Sequence, residues 1–156
     1  MTAASLTSRL PASGDELSIT VTGEPRTIYD WSEDRCEDEF IPDSPARAFR
    51  RADGQIALIA THRKNWMMVG DTFQSLKPVC HTIFDSSRIK NTEGLFWIQA
   101  TYTRDGTHVV ALVSNDQRNL VIEQGCDASE ADDACWLNKI ANARSTNMGE
   151  SFALEQ

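Results

Sequence analysis

Residues 48–62, AFRRADGQIALIATH, place an Asp-Gly pair between a basic segment and a run rich in Ile, Leu and Ala. Residues 100–116, ATYTRDGTHVVALVSND, repeat that arrangement later in the chain. The Asp-Gly pairs, at 53–54 and 105–106, are offset by 52 residues, whereas ALIATH matches ALVSND at an offset of 54. Asp-Gly between apolar runs is a strong hairpin signal, because the tightest hairpin turns need positive φ at both central residues. The sequence therefore predicts two β-hairpins in a repeated unit.

Segments beyond each hairpin have the composition of further strands. They are NWMMVG (65–70) and PVCHTIF (78–84) in the first unit, and NLVIEQ (119–124), LNKIANARS (137–145) and SFALEQ (151–156) in the second. Roughly four strands in a unit of about fifty residues is the size of one β-propeller blade. We therefore predict an all-β fold of two four-stranded antiparallel blades.

The predicted organisation has three parts and does not form a closed ring. Residues 1–30 are expected to be a tail or lead strand, residues 31–90 the first blade, and residues 91–156 a truncated second blade. Closed propellers contain about four to eight blades, so a longer chain or several copies would have to complete the ring. Two alternatives stay open: the same strands could form a β-sandwich, and ASEADDACWLNKIANA (128–143) could form a helix.

Charge and hydropathy exclude several classes of partner. The 156 residues carry 15 Lys and Arg against 23 Asp and Glu, a formal net charge of −8. Such a chain lacks the basic stripe that binds nucleic acids, and anionic membrane surfaces repel it. No run of about 18 apolar residues is present to span a bilayer. The N-terminal stretch has no apolar signal-peptide core, so we expect a cytoplasmic protein, or an extracytoplasmic one if the N-terminus is incomplete.

The four cysteines, Cys36, Cys80, Cys126 and Cys135, allow three disulfide pairings. Cys126 and Cys135 would close the shorter loop, and buried free thiols in a reducing compartment are an equally open alternative. No Cys-x2-Cys unit is present and the histidines are scattered, which is not the pattern of a zinc site. The acidic loops EDRCEDEF and DASEADDAC lack the ligand spacing of a calcium-binding loop. We predict no metal and no cofactor.

Four longer motifs together resemble a known group of enzymes. They are RCEDEFIPDSPARAFRRADG (35–54), NWMMVGDTFQSLK (65–77), WIQATYTRDGTHVVALVSND (97–116) and CWLNKIANARSTNMGESF (135–152). In this order they look like the opening blades of five-bladed β-propeller proteins of the glycoside hydrolase family 43 type. That group includes arabinanases, β-xylosidases and uncharacterised bacterial relatives. The resemblance implies two blades of an incomplete five-bladed propeller and a carbohydrate-related function.

A shorter motif, STNMGESF (145–152), resembles the Asp-box turn of sialidase-like propellers. Ser145, Gly149 and Phe152 stand at matching places, while Asn147 replaces the usual aspartate. The box is a folding element, in which a polar side chain bonds its own backbone. It therefore supports an architecture and carries no chemistry.

The resemblance also implies a place for one catalytic carboxylate. Hydrolysis of a glycosidic bond uses two carboxyl groups on opposite sides of the scissile bond. Asp43, between two prolines and before the inner strand of the first blade, matches the base of these enzymes. Arg47 and Arg50 would supply positive charge beside it. The simpler interpretation is a turn aspartate that accepts hydrogen bonds from backbone N–H groups.

The other carboxylates of the enzymes have no match in this sequence. Tyr102 occupies the place of the second aspartate, and the acidic glutamate would lie on a third blade. One candidate carboxylate is not enough for a mechanism that needs a pair. We therefore expect the chain alone not to be catalytic.

Other polar and aromatic residues could bind sugar without cleaving it. Trp66 and Tyr102 offer flat faces on which sugar rings stack. Core packing is the competing interpretation for tryptophans, and the favoured one for Trp97 and Trp136. The remaining candidates lie at strand ends or near Asp43, and they are Arg47, His62, Asn65, Asn115 and Asp116. Carbohydrate is therefore the predicted partner.

Three functions are consistent with these features. The first is a carbohydrate-related propeller fragment that is hydrolase-like but inactive alone. The second is a non-catalytic module for protein interaction or sugar binding, which forms a homo-oligomer through the exposed edges of its blades. The third is a small extracellular β-sandwich held by two disulfides.

Overall fold

The computed structural model describes residues 18–38, 40–60, 64–84, 95–117 and 137–155. The strands are β1 Arg47–Arg50, β2 Ile56–Ile59, β3 Asn65–Gly70, β4 Lys77–Phe84, β5 Leu95–Thr103, β6 Val109–Gln117, β7 Leu137–Ser145 and β8 Ala153–Leu154. The helices in these ranges are α1, Trp31–Asp34, and a 3-10 helix, Phe73–Ser75. Neither is long enough to cross a membrane.

The strands form two separate sheets. β1 to β4 make the first sheet and β5 to β8 the second, each in sequential order with antiparallel neighbours. The predicted all-β class and the two four-stranded antiparallel sheets are confirmed. The alternative helix over 128–143 is wrong for its last part, because residues 137–143 lie in β7 and the side chains from 142 to 145 alternate between exposed and buried. The strand predicted at 119–124 lies outside the described residues.

One constant shift of 53 residues relates the first hairpins of the two sheets. Phe49 pairs with Ala57 across β1 and β2, as Tyr102 pairs with Val110 across β5 and β6. The offsets of 52 and 54 taken from the sequence do not match structurally equivalent residues. Both hairpin loops hold five residues, but Gly54 is the fourth residue of its loop and Gly106 is the third. A slip of one residue exchanges the two faces of a strand. Only the shift of 53 therefore identifies corresponding faces.

The two Asp-Gly pairs lie in hairpin loops, but not in two-residue turns with positive φ throughout. Gly54 and Gly106 have φ values of 86° and 72°, whereas neither aspartate has positive φ. Instead, Oδ1 of Asp53 and Oδ1 of Asp105 each accept the backbone N–H two residues later, at 3.0 and 2.9 Å. The carboxylate thus closes each turn, and glycine supplies the single left-handed residue.

One apolar core lies between the two sheets. The first sheet contributes Phe49, Ala57, Ile59, Met67, Ile83 and Phe84, and the second contributes Phe96, Ile98, Val109, Ala111, Val113, Ala143 and Phe152. Burial of each large side chain stabilises the fold by roughly 1.5–3 kcal/mol. In β6 the buried residues alternate with partly or fully exposed ones from Val109 to Val113, as in a strand with one face in the core.

The first strands of the two sheets, β1 and β5, lie side by side and run in the same direction. At the start of β1 and the middle of β5, Nε of Arg47 donates to the Gln99 carbonyl. Just beyond their ends, the N–H of Ala52 donates to the Gly106 carbonyl at 3.1 Å. Within the described residues no backbone ladder joins β1 to β5, and the two sheets do not close into a ring.

The face of the first sheet that points away from the second sheet is covered by the preceding chain. Ile28 and Tyr29 pack against a second buried cluster, made of Ile56, Leu58, Met68 and Leu76. The ring of Phe40 packs edge-on against Trp66, with centroids 4.6 Å apart. We call residues 28–38 and 40 the cover segment.

A disulfide between Cys36 and Cys80 attaches the cover segment to β4. The alternative of free thiols is therefore wrong for this pair. Cys126 and Cys135 lie outside the described residues, and so does the acidic loop that contains them.

Candidate functional site

A cleft runs along β1 and β5 where these strands lie side by side. Its volume is about 670 Å³, and residues of both strands and of the loops that follow them form its walls. The exposed residues with long or charged side chains on the walls are Arg50, Tyr102, Arg104 and Asp105. Because β1 and β5 are edge strands of their sheets, they present backbone N–H and C=O groups as well. The cleft thus combines cations, a carboxylate, one aromatic residue and backbone hydrogen-bonding groups.

The residue predicted to be catalytic, Asp43, lies exposed in the loop before β1. Arg47 holds this loop, since its Nη1 donates to two loop carbonyls at 2.8 and 3.2 Å while Nε reaches the Gln99 carbonyl. Arg50 donates to a carbonyl of the following turn at 2.7 Å. Both guanidinium groups are thus held by backbone oxygens, and the catalytic role of Asp43 stays a prediction.

Asn65 and Trp66 are buried at the start of β3. Nδ2 of Asn65 donates to the carbonyls of Phe84 and Phe96, at 3.1 and 2.9 Å, and its Oδ1 accepts a backbone N–H of β5 at 3.0 Å. Trp66 is 4% exposed under the cover segment. Asn65 thus joins the two sheets and Trp66 packs under the cover segment, so both side chains present little surface to a ligand.

Among the other predicted binding residues, Tyr102 is the most exposed, at 64%. Asn115 is buried opposite Phe96 on the neighbouring strand. Asp116 accepts a hydrogen bond from an amide side chain of β7. His62 lies outside the described residues.

The predicted site therefore divides into two groups. Asn65 and Asn115 both neighbour Phe96, at the end of the sheets where β1 begins. Tyr102 lies towards the opposite end, near the two Asp-Gly loops. The structure does not bring all of these residues to one rim.

Arg51, which the sequence did not single out, links the two sheets electrostatically. Its side chain is buried, and its Nη2 lies 3.0 Å from both Asp53 Oδ2 and Glu150 Oε1. Burial works against the charge of Arg51, but hydrogen bonds to the two carboxylates raise its pKa above the ordinary value. Burial likewise opposes the charge of Asp53, yet the hydrogen bond from Arg51 holds its pKa below the usual range. An arginine beside a turn is too common a pattern to have indicated this contact.

The turn between β7 and β8 packs against the first sheet. Asn147 Oδ1 accepts the N–H of Ser151 at 3.1 Å, and Ser145 Oγ accepts that of Gly149 at 2.9 Å. These bonds confirm the turn predicted from STNMGESF. Gly149 has a φ of 85°, and a Cβ added there would lie 2.7 Å from the ring of Phe49. Glycine is therefore required for the ring to approach the turn.

The outward face of the second sheet carries exposed apolar residues beside polar ones, because Asn142 and Arg144 of β7 pair with Leu112 and Val110 and are exposed on the same face. Tyr102, Leu112 and Ile140 are 64%, 45% and 63% exposed, and Val110 lies between them half-buried. We call these four residues the outward face. Large exposed apolar patches mark binding surfaces in soluble proteins. The described part of the chain thus offers two candidate sites, the cleft and the outward face.

Comparison with known proteins adds no identification. No protein-family model, curated protein or solved structure matches this chain. Among the described residues, no three His, Cys, Asp or Glu side chains come together as a metal site would need. The cleft and the outward face are therefore interpreted from their own geometry.

Proposed function

We propose that this chain is a non-catalytic binding module whose outward face docks a further antiparallel β-sheet. In this proposal the two sheets are neighbouring blades of a propeller-type structure. The parallel course of β1 and β5 supports it, because the inner strands of successive blades run in one direction around a central axis.

The observation that carries the proposal is the correspondence between one buried and one exposed face. Under the shift of 53 residues, side chains that bury the first sheet against the second correspond to exposed or half-buried ones on the second: Phe49 to Tyr102, Ala57 to Val110, and Ile59 to Leu112. Corresponding faces of repeated units make corresponding contacts. The outward face is thus the surface on which a next sheet would pack.

The opposite end of the pair is closed. The cover segment lies on the face of the first sheet that points away from the second sheet, and the Cys36–Cys80 disulfide holds it there. In repeat proteins a terminal unit needs such a cap, whereas an uncapped end associates with a neighbour. This asymmetry supports docking at the second sheet.

A tandem protein tests the proposal directly. A second copy of residues 85–156 would be joined after Gln156, so that the added sheet follows the same linker that precedes β5. We expect the added sheet to fold on the outward face, to slow hydrogen exchange in β6, and to unfold together with the first two sheets. Leu112→Asp should prevent docking, since it places a charge in an apolar contact.

Val21→Asp is the matched control, because Val21 is an aliphatic residue 77% exposed elsewhere on the chain. It should leave docking unchanged. An added sheet that stays unfolded, or one that docks equally well on Leu112→Asp, would contradict the proposal. Light scattering on the original chain tests the other occupant, a second copy: a dimer lost in Leu112→Asp would mean that the face serves homo-oligomerisation.

Carbohydrate binding in the cleft is a second candidate function. Tyr102 is one of the residues that line the cleft and is 64% exposed, and the edge strands supply donors and acceptors that match sugar hydroxyl groups. The resemblance to arabinanases and β-xylosidases supports the same ligand class. Hydrolysis, with Asp43 as base, would need a second carboxyl group across the scissile bond, and Tyr102 stands where the resembled enzymes have an aspartate.

Titration with xylo-oligosaccharides and arabino-oligosaccharides, followed by NMR chemical shifts, tests this candidate. We expect shifts around Tyr102 and Arg50 that disappear in Tyr102→Ala. Phe73→Ala is the control, because Phe73 is an exposed aromatic residue that does not line the cleft. Equal binding by both variants, or no binding by the unmodified chain, would contradict a role for the cleft in carbohydrate recognition.

A further inference from the structure

The contact between the two described sheets contains a specific pair of neighbours. Phe49 packs on Gly149, and Arg51 forms an ion pair with Glu150 at 3.0 Å. Gly149 and Glu150 are consecutive residues of the turn between β7 and β8. An aromatic residue and an arginine of one sheet therefore meet a glycine and a carboxylate of the next.

The same aromatic residue and arginine recur on the second sheet, 53 residues later. Tyr102 corresponds to Phe49, and Arg104 directly follows β5 as Arg51 directly follows β1. Tyr102 is 64% exposed and Arg104 is exposed as well. The aromatic residue and the arginine of the contact thus recur on the side of the second sheet that faces away from the first. No described residue there takes the place of Gly149 and Glu150.

Arg104 has no carboxylate partner among the described residues. Its neighbour Asp105 accepts hydrogen bonds from the N–H groups of Thr107 and His108 through Oδ1, and from the His108 ring through Oδ2. The acid beside Arg104 is thus already held within its own loop. Arg51 differs, because it is buried and pairs both with Asp53 of its own loop and with Glu150 of the neighbouring sheet.

We infer that the sheet docked on the outward face brings a turn with a glycine followed by a carboxylate residue, the glycine against Tyr102 and the carboxylate against Arg104. This inference rests on the proposed function and specifies its partner. A second copy of the chain fits less well, because its Gly149 and Glu150 are already engaged by its own Phe49 and Arg51. The partner is therefore a sheet whose glycine–carboxylate turn is free.

The tandem protein separates this inference from the proposed function. In the tandem, Arg104 of the original sheet should meet Glu150 of the added sheet. Arg104→Glu alone, and Glu150→Arg in the added sheet alone, should each lower the docking equilibrium constant roughly tenfold or more, because each leaves like charges in contact. The two changes together should restore most of the loss, since the ion pair is reformed in reverse.

A matched control is Arg26→Glu, at an exposed arginine of the N-terminal segment outside the outward face. It should not lower docking and should show no coupling to Glu150→Arg in the added sheet. If the added sheet docks but the losses from Arg104→Glu and Glu150→Arg merely add, the inference is wrong while the proposed function survives. If no variant of the tandem docks, the proposed function is wrong and the inference falls with it.

Discussion

The side-chain amide of Asn65, in the first sheet, donates to the backbone carbonyl of Phe96, in the second, at 2.9 Å. The same side chain also bonds a carbonyl of β4 and an N–H of β5, and it is fully buried. One amide thus fixes the position of β5 against the first sheet. A buried polar group with all its partners supplied favours one arrangement of the chain.

Asn65→Ala should lower the free energy of unfolding by about 3–5 kcal/mol, because three hydrogen bonds are lost and their backbone partners stay buried. Urea unfolding followed by circular dichroism measures this loss. Asn142→Ala, at an exposed asparagine of β7, should change stability by less than about 0.5 kcal/mol. Equal effects of the two variants would show that Asn65 does not join the sheets.

The two glycines of the Asp-Gly loops form a matched pair for a second test. An added Cβ at Gly106 would lie 2.4 Å from the backbone nitrogen of Ala52, whereas at Gly54 it meets no atom within 4 Å. Both residues have positive φ, so Gly54→Ala should cost only about 1 kcal/mol of left-handed strain. Gly106→Ala should cost roughly 1–3 kcal/mol in addition, because the hairpins must move apart.

Thermal unfolding of both glycine variants measures the difference. Equal destabilisation would mean that the loops of β1 and β5 are not in contact. The contact between Ala52 and Gly106 would then not determine the position of β1 and β5 in the cleft.

Local structure was readable from the sequence because its signals lie within a few residues. NWMMVG is β3 over the residues predicted, 65–70, and the hairpin loops fall at the Asp-Gly pairs. The correspondence between residues of the two hairpins could not be predicted, because matching the letters Asp-Gly ignores where glycine stands within each five-residue loop. The error matters, since one residue decides whether Leu112 faces the core or the solvent.

The candidate sites were less readable because they depend on contacts between distant residues. Asn65 was predicted as a ligand at a strand end, but its partner Phe96 is 31 residues away and makes it a structural residue. Arg51 meets Glu150 across 99 residues, and no local pattern indicates that pair. Tyr102 was singled out for its aromatic ring, and its correspondence to Phe49 became visible only with the register.

Asp105 makes the stability of the second hairpin depend on pH. The hydrogen bond from the His108 ring, followed by two backbone hydrogen bonds, holds the pKa of Asp105 well below its ordinary value. A carboxyl with a lowered folded-state pKa contributes stability above its unfolded pKa of about 3.9 and loses that contribution as pH falls further. Asp105→Asn should therefore be less stable than the unmodified chain at about pH 5, and the difference should shrink towards about pH 2.5.

Urea unfolding at the two pH values measures the difference between Asp105→Asn and the unmodified chain. Glu24→Gln, at an exposed carboxyl of the N-terminal segment, serves as the control for general charge effects. A difference for Asp105→Asn that stays constant with pH would contradict a role of the ionised carboxylate in the loop.

The Cys36–Cys80 disulfide should determine whether the cover segment stays on the first sheet. It spans 44 residues, and cross-linking a loop of that length restricts the unfolded chain by about 4 kcal/mol in the chain-entropy description. The variant with both Cys36→Ser and Cys80→Ser should lose most of that stability. Its tryptophan emission should shift to longer wavelength, because Phe40 no longer shields Trp66 from water.

A double variant with unchanged unfolding and unchanged emission would show that the cover segment is held by its apolar contacts alone. Thiol titration of the protein taken from its native cells addresses the compartment. Disulfides persist mainly outside the reducing cytoplasm, so an oxidised Cys36–Cys80 pair favours an extracytoplasmic location and a reduced pair the cytoplasmic one. If the pair is reduced in those cells and the cover segment is released, the face of the first sheet beneath it becomes exposed. The chain then gains a second surface for docking.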